Sequence, residues 1–173
     1  MEKAIYGLAM PFNDIYWEYD RLANTLTLEK TNKDSVHIDS LVGATLRHDY
    51  NKEKELGRTD QGTLFLHVNE RGVFFKVIPT TPFGLSCYKK VKKGKIRHCS
   101  ISYYIHDRHR NYQEEKRVTS LLRLLKQKEN IIIWDYKKIL VFFVCICEKP
   151  ANDATFCTTD PNHPLLKEVI WDE

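Results

Sequence analysis

The chain has 173 residues, 42% hydrophobic and 29% charged, with 7 glycines and 6 prolines, a composition that excludes disordered and fibrous classes and fits one globular domain over residues 1–173. A formal net charge of +4 is too small to mark a nucleic-acid binder by itself. Five cysteines with no Cys-x-x-Cys pair and no His/Cys zinc spacing point to reduced thiols in an intracellular protein, without metal or cofactor.

The opening Met1–Asp14 stretch is apolar in part, but Pro11 and the acidic Glu2 and Asp14 spoil it as a secretory signal. Ile5–Phe12, Ile15–Tyr19 and Thr25–Glu29 read as short strands, rich in aromatic and β-branched residues. An apolar strand follows over Leu41–Leu46, and then a charged loop. Thr63–Val68 alternates with Leu64, Leu66 and Val68 on one face, and the turn Asn69-Glu-Arg-Gly72 returns the chain into Val73–Ile78 as a hairpin.

Thr81-Pro82 supplies an N-cap and a proline at the first helical position, while Gly94 suits a left-handed stop, so a helix is predicted over Pro82–Lys93. Cys99-Ser-Ile-Ser-Tyr-Tyr-Ile105 is strand-like, and alternation puts His98, Ser100 and Ser102 on one face with Cys99 and Ile101 on the other. A second helix starts at Asn111, with Glu114 three residues on as a capping box and a stripe of Val118, Leu121, Leu122 and Leu125; it is expected to reach Lys128. Strands resume over Ile131–Asp135 and Ile139–Cys147, the second apolar on both faces and therefore central. That run is about half a membrane span, so no membrane partner is expected. Together these elements describe a mostly β domain with α (α+β), a barrel with at least two helices packed outside it.

Serine chemistry needs a hydroxyl, a base to take its proton, a group that orients the base and donors for the oxyanion. Ser100 on a polar strand face and His48 at a strand end are candidates for the first two. Taken alone, each equally fits a solvated surface position, as His37, His67 and His98 would. Nor does the sequence single out a donor for the oxyanion. The basic run Lys89-Lys90-Val91-Lys92-Lys93-Gly94-Lys95 and Arg108-His109-Arg110 read as solvated faces, without the interleaved aromatics of single-strand binders, so nucleic acid is not an expected partner. Cys99 as a cysteine nucleophile would need an accessible thiol with a lowered pKa.

A resemblance decides between these readings. Ile5-Tyr-Gly-Leu-Ala-Met-Pro-Phe-Asn13, the block Leu46-Arg-His48-Asp49 followed by Leu56-Gly-Arg-Thr59, the block His98-Cys-Ser100-Ile-Ser102 and the late Pro150-Ala-Asn152 resemble, in order and spacing, the tailed-bacteriophage prohead proteases over about residues 5–154, leaving 155–173 as a tail. The resemblance implies a β-barrel ringed by helices, as in the herpesvirus maturational protease. It implies catalytic Ser100 and His48 and no cofactor. It also implies a serine endopeptidase that cuts scaffold, or the scaffolding segment of the major capsid protein, inside the immature prohead in the cytoplasm of a bacterial host, and that cuts itself. Self-association is compatible with it.

The resemblance breaks at one position. The family's late acidic residue, seven before the proline of Pro-Ala-Asn, falls on Phe143 here. Three readings follow: a third member from elsewhere (Glu148, Asp135, His98 or His106), a Ser-His dyad, or a weakened homologue that acts as a capsid assembly factor. The helix from Asn111 is an addition relative to the family, read as extra cover for the barrel.

Overall fold

The structure is a computed structural model that describes residues 2–12, 14–47, 49, 51–125 and 130–171. In chain order the strands are β1 (Ile5–Pro11), β2 (Ile15–Asp20), β3 (Thr25–Lys30), β4 (Val36–Leu46), β5 (Gly57–Arg58), β6 (Leu64–Asn69), β7 (Gly72–Val77), β8 (His98–Arg110), β9 (Asn130–Cys147) and β10 (Phe156–Thr158). Helix α1 (Pro82–Lys92) joins β7 to β8, and α2 (Tyr112–Leu124) joins β8 to β9.

Four antiparallel strands form the first sheet in the order β10-β1-β7-β6. The predicted hairpin is its β6–β7 edge, with Asn69 opposite Gly72. Its inner strand β7 is buried along its whole length, Phe74 and Phe75 included, and each such apolar side chain contributes about 1.5–3 kcal/mol through burial.

The second sheet is organised by β9. The two strands expected at Ile131–Asp135 and Ile139–Cys147 are one strand of 18 residues. It pairs with β8 along one edge, while its other edge is shared in parallel by β3 at Asn130–Asp135 and by β4 at Ile139–Ile146. Lys137 and Lys138 do not break it: the ladder with β8 shifts register on both sides of the Asp107–Lys138 pair, skipping His106 on β8 and Lys137 on β9. One cluster of buried side chains draws on both sheets: Ile5, Met10, Phe75 and Val77 from the first, and Ala44, Leu46, Cys99, Ile101, Val141, Val144 and Ile146 from the second, with Cys87 and Val91 of α1.

The closed barrel expected from the strand pattern and from the resemblance is not found: among the described strands there are two sheets, and no ladder joins them into a ring. Beside β1 and β10, β8 meets the first sheet through side chains. Its Cys99 Sγ lies 3.1 Å from the carbonyls of both Leu8 and Phe156, and one backbone bond, from Cys157 N–H to the Arg97 carbonyl at 2.8 Å, crosses the seam just ahead of β8. A thiol turned into the seam holds the strands in contact without a continuous run of N–H to C=O bonds.

Both helix starts follow the sequence. Thr81 accepts from the Gly84 N–H at 3.0 Å, and Gly94 adopts φ 66° after α1. Asn111 caps α2 by accepting from the Glu114 N–H at 3.1 Å. The capping box does not close as expected, because the Glu114 carboxylate goes to Lys30 at 2.6 Å. Within the described residues α2 ends at Leu124, and the predicted extension to Lys128 falls on residues outside them. Nor is its apolar stripe buried: Leu121 and Leu125 are exposed. Polar contacts fasten α2 instead, since buried Glu115 accepts from Arg110 Nε at 2.8 Å and from the Ile133 N–H at 2.9 Å.

Candidate active site

Ser100 lies near the start of β8, where the Cys147, Cys145 and Phe143 positions of β9 face His98, Ser100 and Ser102 in register. On the far side of β9, Cys145 faces Thr45 and Phe143 faces Gly43 of β4. Paired residues share a sheet face, so Ser100, Ser102, Cys145, Phe143, Thr45 and Gly43 lie on one face across three strands. The opposite face carries Cys99, Ile101, Val144 and Ile146 into the core, as the alternation predicted. Neighbouring strands are about 4.8 Å apart, which puts β4 about 10 Å from β8 across this face.

The Ser100 face is not open water. Ser100 is 6% exposed, and Thr45 and Cys145 are 0% exposed. Ser102 Oγ lies 3.6 Å from Cys145 Sγ. At the Thr45 end of this face the chain that leaves β4 folds back on its own strand. Arg47 takes a left-handed φ of 57°, and the Asp49 N–H returns to the Leu46 carbonyl at 3.1 Å, while the Thr45 hydroxyl donates to the Asp49 carbonyl. His48 itself lies outside the described residues. The chain then reaches Leu56, whose N–H donates to the Ala44 carbonyl at 2.8 Å, and β5 pairs with Gly43 and Ala44.

Gly43 is where this face is tightest. A Cβ built on it would stand 2.5 Å from Cε1 of Phe143 and 3.1 Å from Oε1 of Glu55. The missing side chain therefore leaves the space into which the Phe143 ring packs and over which the Glu55 carboxylate lies. At the C-terminal ends of β4 and β9 a cleft of about 450 Å³ is lined by Arg47, Cys147, Glu148 and Lys149, with Cys147 two cross-strand pairs beyond Ser100.

The candidates named for a third catalytic role divide clearly. Glu148 is held by Arg47, which donates from Nε at 2.7 Å and from Nη2 in a bidentate pair; that bond keeps its carboxyl below the ordinary range. Asp135 accepts from Asn111 at 2.9 Å, ten positions along β9 from Cys145 and so about 33 Å away. His98 shares the Ser100 face by alternation, but its Nδ1 is 2.9 Å from the Thr155 carbonyl. His106 is exposed on the outer half of β8. Cys99 does not meet the terms of a cysteine nucleophile, for it faces the core at 0% exposure and burial pushes its thiol well above the ordinary pKa. No three His, Cys, Asp or Glu side chains converge as metal ligands among the described residues.

Residues 2–163 match the caudovirus prohead serine protease family. The chain belongs to that family. No curated protein and no solved structure matches it. As a prohead serine protease relative the chain is a serine peptidase by descent, and the matched span contains β1 through β10 with both helices.

Two of the prohead protease motifs acquire physical reasons here. In Leu56-Gly57-Arg58 the glycine is required by close approach, since a Cβ there would stand 2.7 Å from both the Thr63 carbonyl oxygen and Val77 Cγ2. In Pro150-Ala-Asn152 the asparagine is a buried knot: its Nδ2 donates to Asp14 at 3.0 Å, its Oδ1 accepts from the Ala154 N–H at 2.7 Å and its carbonyl accepts from the Thr155 hydroxyl at 2.9 Å. That knot leads directly into β10 and so positions the Thr155 carbonyl beside His98. Sequence reasoning missed Thr45, Gly43 and Glu55, which reach the site only through strand register and loop cover. Nothing in their spacing announces them.

Proposed function

We propose that the chain is the endopeptidase of a phage prohead, cutting scaffold or the scaffolding segment of the major capsid protein, and itself, inside the immature shell. Ser100 is the nucleophile and His48 the general base. The observation that carries this reading is the nearly buried Ser100 on the sheet face it shares with Cys145 and Thr45, at the serine of the block that resembles the family's. In the first step the imidazole takes the hydroxyl proton as Ser100 Oγ bonds to the scissile carbonyl carbon, and the carbonyl oxygen becomes an oxyanion. Collapse breaks the C–N bond, the imidazolium gives its proton to the leaving amine, and water then cleaves the acyl-serine ester by the same transfers in reverse.

A second reading is favoured by one observation, the Phe143 ring at the position where the family resemblance expects an acid: an assembly factor that binds capsid or scaffold protein without cutting it. Co-expression of the chain with its cognate capsid and scaffold proteins, followed by intact-mass measurement, separates the two. Protease action gives shortened products with new termini; a stable complex of uncut partners supports the assembly factor.

A further inference from the structure

We infer that α2 and the strands β2 and β3 form a self-association surface, an apolar groove that takes α2 of a second copy of this chain. The surface lies at the Asn130–Asp135 end of β9, far along the strand from Cys145 and Ser100.

At this end the second sheet is four strands wide, in the order β2-β3-β9-β8. Paired residues share a face, so Trp17 and Tyr19 of β2, Leu26, Leu28 and Lys30 of β3, and Ile131, Ile133 and Asp135 of β9 lie on one side. Helix α2 starts over this side, where Asn111 donates to Asp135 at 2.9 Å and the Glu114 carboxylate meets Lys30 at 2.6 Å. It packs against β9, whose Ile131 and Ile133 are buried. The outer strands have no such cover: Leu26 and Leu28 are half-buried, Tyr19 is exposed and Trp17 is 66% exposed. A helix is about 10 Å across and strands are about 4.8 Å apart, so α2 spans roughly two strands. The half of this side over β2 and β3 has the width of one more helix.

The helix wall of this groove is apolar. Glu114 faces β3 through Lys30, and helical spacing puts Val118, Leu121 and Leu125 on the same flank. Leu124 is 80% exposed; it lies about two and a half turns from buried Glu115 and so points away from the sheet. Exposed Leu22 closes the same end, because the Asn130 N–H bonds to the Asn24 carbonyl at 3.0 Å. Trp17, Tyr19, Leu22, Leu121, Leu124 and Leu125 leave roughly 700–800 Å² open, taking about 200 Å² for a whole large side chain. That exceeds the largest patch on an ordinary monomer, about 300–600 Å², and approaches the roughly 800 Å² per partner of a stable interface.

A foreign helix laid in the groove would cover the flank and leave Leu124 in water. A second copy related by a two-fold axis along the groove covers both. The two α2 helices then lie side by side between the two sheets, each over its own β9 and over β2 and β3 of the other copy. Leu121 and Leu125 pack on their counterparts, and Leu124 packs toward the partner's Trp17. The cations Lys116 and Arg123 lie on the opposite flank of the helix and do not face their copies.

The test is sedimentation velocity of the full chain from about 1 to 100 μM, with Leu124→Glu and Trp17→Glu as groove variants, Lys116→Ala as a control on the opposite flank, and thermal unfolding of each. The parent is expected to be dimeric at the top of this range, since interfaces of this size bind at micromolar Kd or tighter. Each groove variant is expected to raise Kd more than about tenfold, because it would bury a carboxylate without a partner. Both side chains are largely exposed in the single chain, so neither change should disturb its fold; if one variant does not fold, the other decides. Lys116→Ala is expected to leave Kd within about threefold. A parent that is still monomeric at about 100 μM overturns the inference, as does a dimer whose Kd the folded groove variants raise less than tenfold, or which Lys116→Ala weakens as much as they do.

Discussion

Ser100→Ala is expected to lower cleavage of the cognate capsid or scaffold protein by about 10⁴-fold or more, with unfolding temperature unchanged within a few degrees. The substitution removes one oxygen and nothing else. Ser100 is 6% exposed and its backbone pairs with Cys145 in mid-sheet, so the strand, its register and the core side chains Cys99 and Ile101 on the other face are left in place. Alanine also suits the small space beside Cys145. A structural effect would appear as loss of folded protein; the catalytic effect appears as folded protein that still binds substrate but leaves it intact. Cleavage by the folded variant at the parent rate would exclude Ser100 as nucleophile, and Ser102, its neighbour on the same face, would then be the residue to change.

His48→Ala is expected to be nearly as damaging as Ser100→Ala, and the double variant hardly worse than either. Groups that act as one unit in proton transfer are strongly non-additive, because once the hydroxyl cannot be activated, removing it costs little more. Purified single and double variants assayed on the same substrate give the coupling directly. If the two losses multiply, His48 acts independently, through folding of the loop that covers Thr45 or through substrate binding, and the general-base assignment fails.

Much of the fold was legible because its signals are local. Thr81-Pro82 and Gly94 bracket α1 through capping chemistry that acts within one turn. The alternation of Cys99–Ser102 correctly separated a core face from a polar one, since a strand permits no other division. What failed depends on distant partners. The join of Ile131–Asp135 to Ile139–Cys147 into one strand runs along a ladder with β8, on another part of the chain, that continues past register shifts on both strands. Likewise the stripe of α2 suggested apolar packing, yet Glu115, Asn111 and Glu114 hold the helix by polar contacts with β8, β9 and β3. The barrel, expected from the run of strands as well as from the resemblance, is not found closed, because pattern alone cannot say whether the last pair of edges meets in a ladder or, as at Cys99, through a side chain.

At the site, the sequence led to Ser100 and to the break at Phe143, because both follow from counting along matched blocks. It gave no access to Glu55, Thr45 and Gly43. Their place on the Ser100 face depends on β4 pairing parallel to β9 and on the loop after β4 folding back over the sheet. Glu148 looked like a nearer acid along the chain, but Arg47, delivered by that same loop, occupies it.

The assignment of Ser100 and His48 is open to a crystal structure of the chain with a peptidyl boronic acid made to the cleaved sequence of its cognate substrate, in which boron is expected bonded to Ser100 Oγ with the His48 imidazole within about 3 Å of that oxygen. Boron bonded to Ser102, or an imidazole turned away from Ser100 in the occupied site, would contradict it.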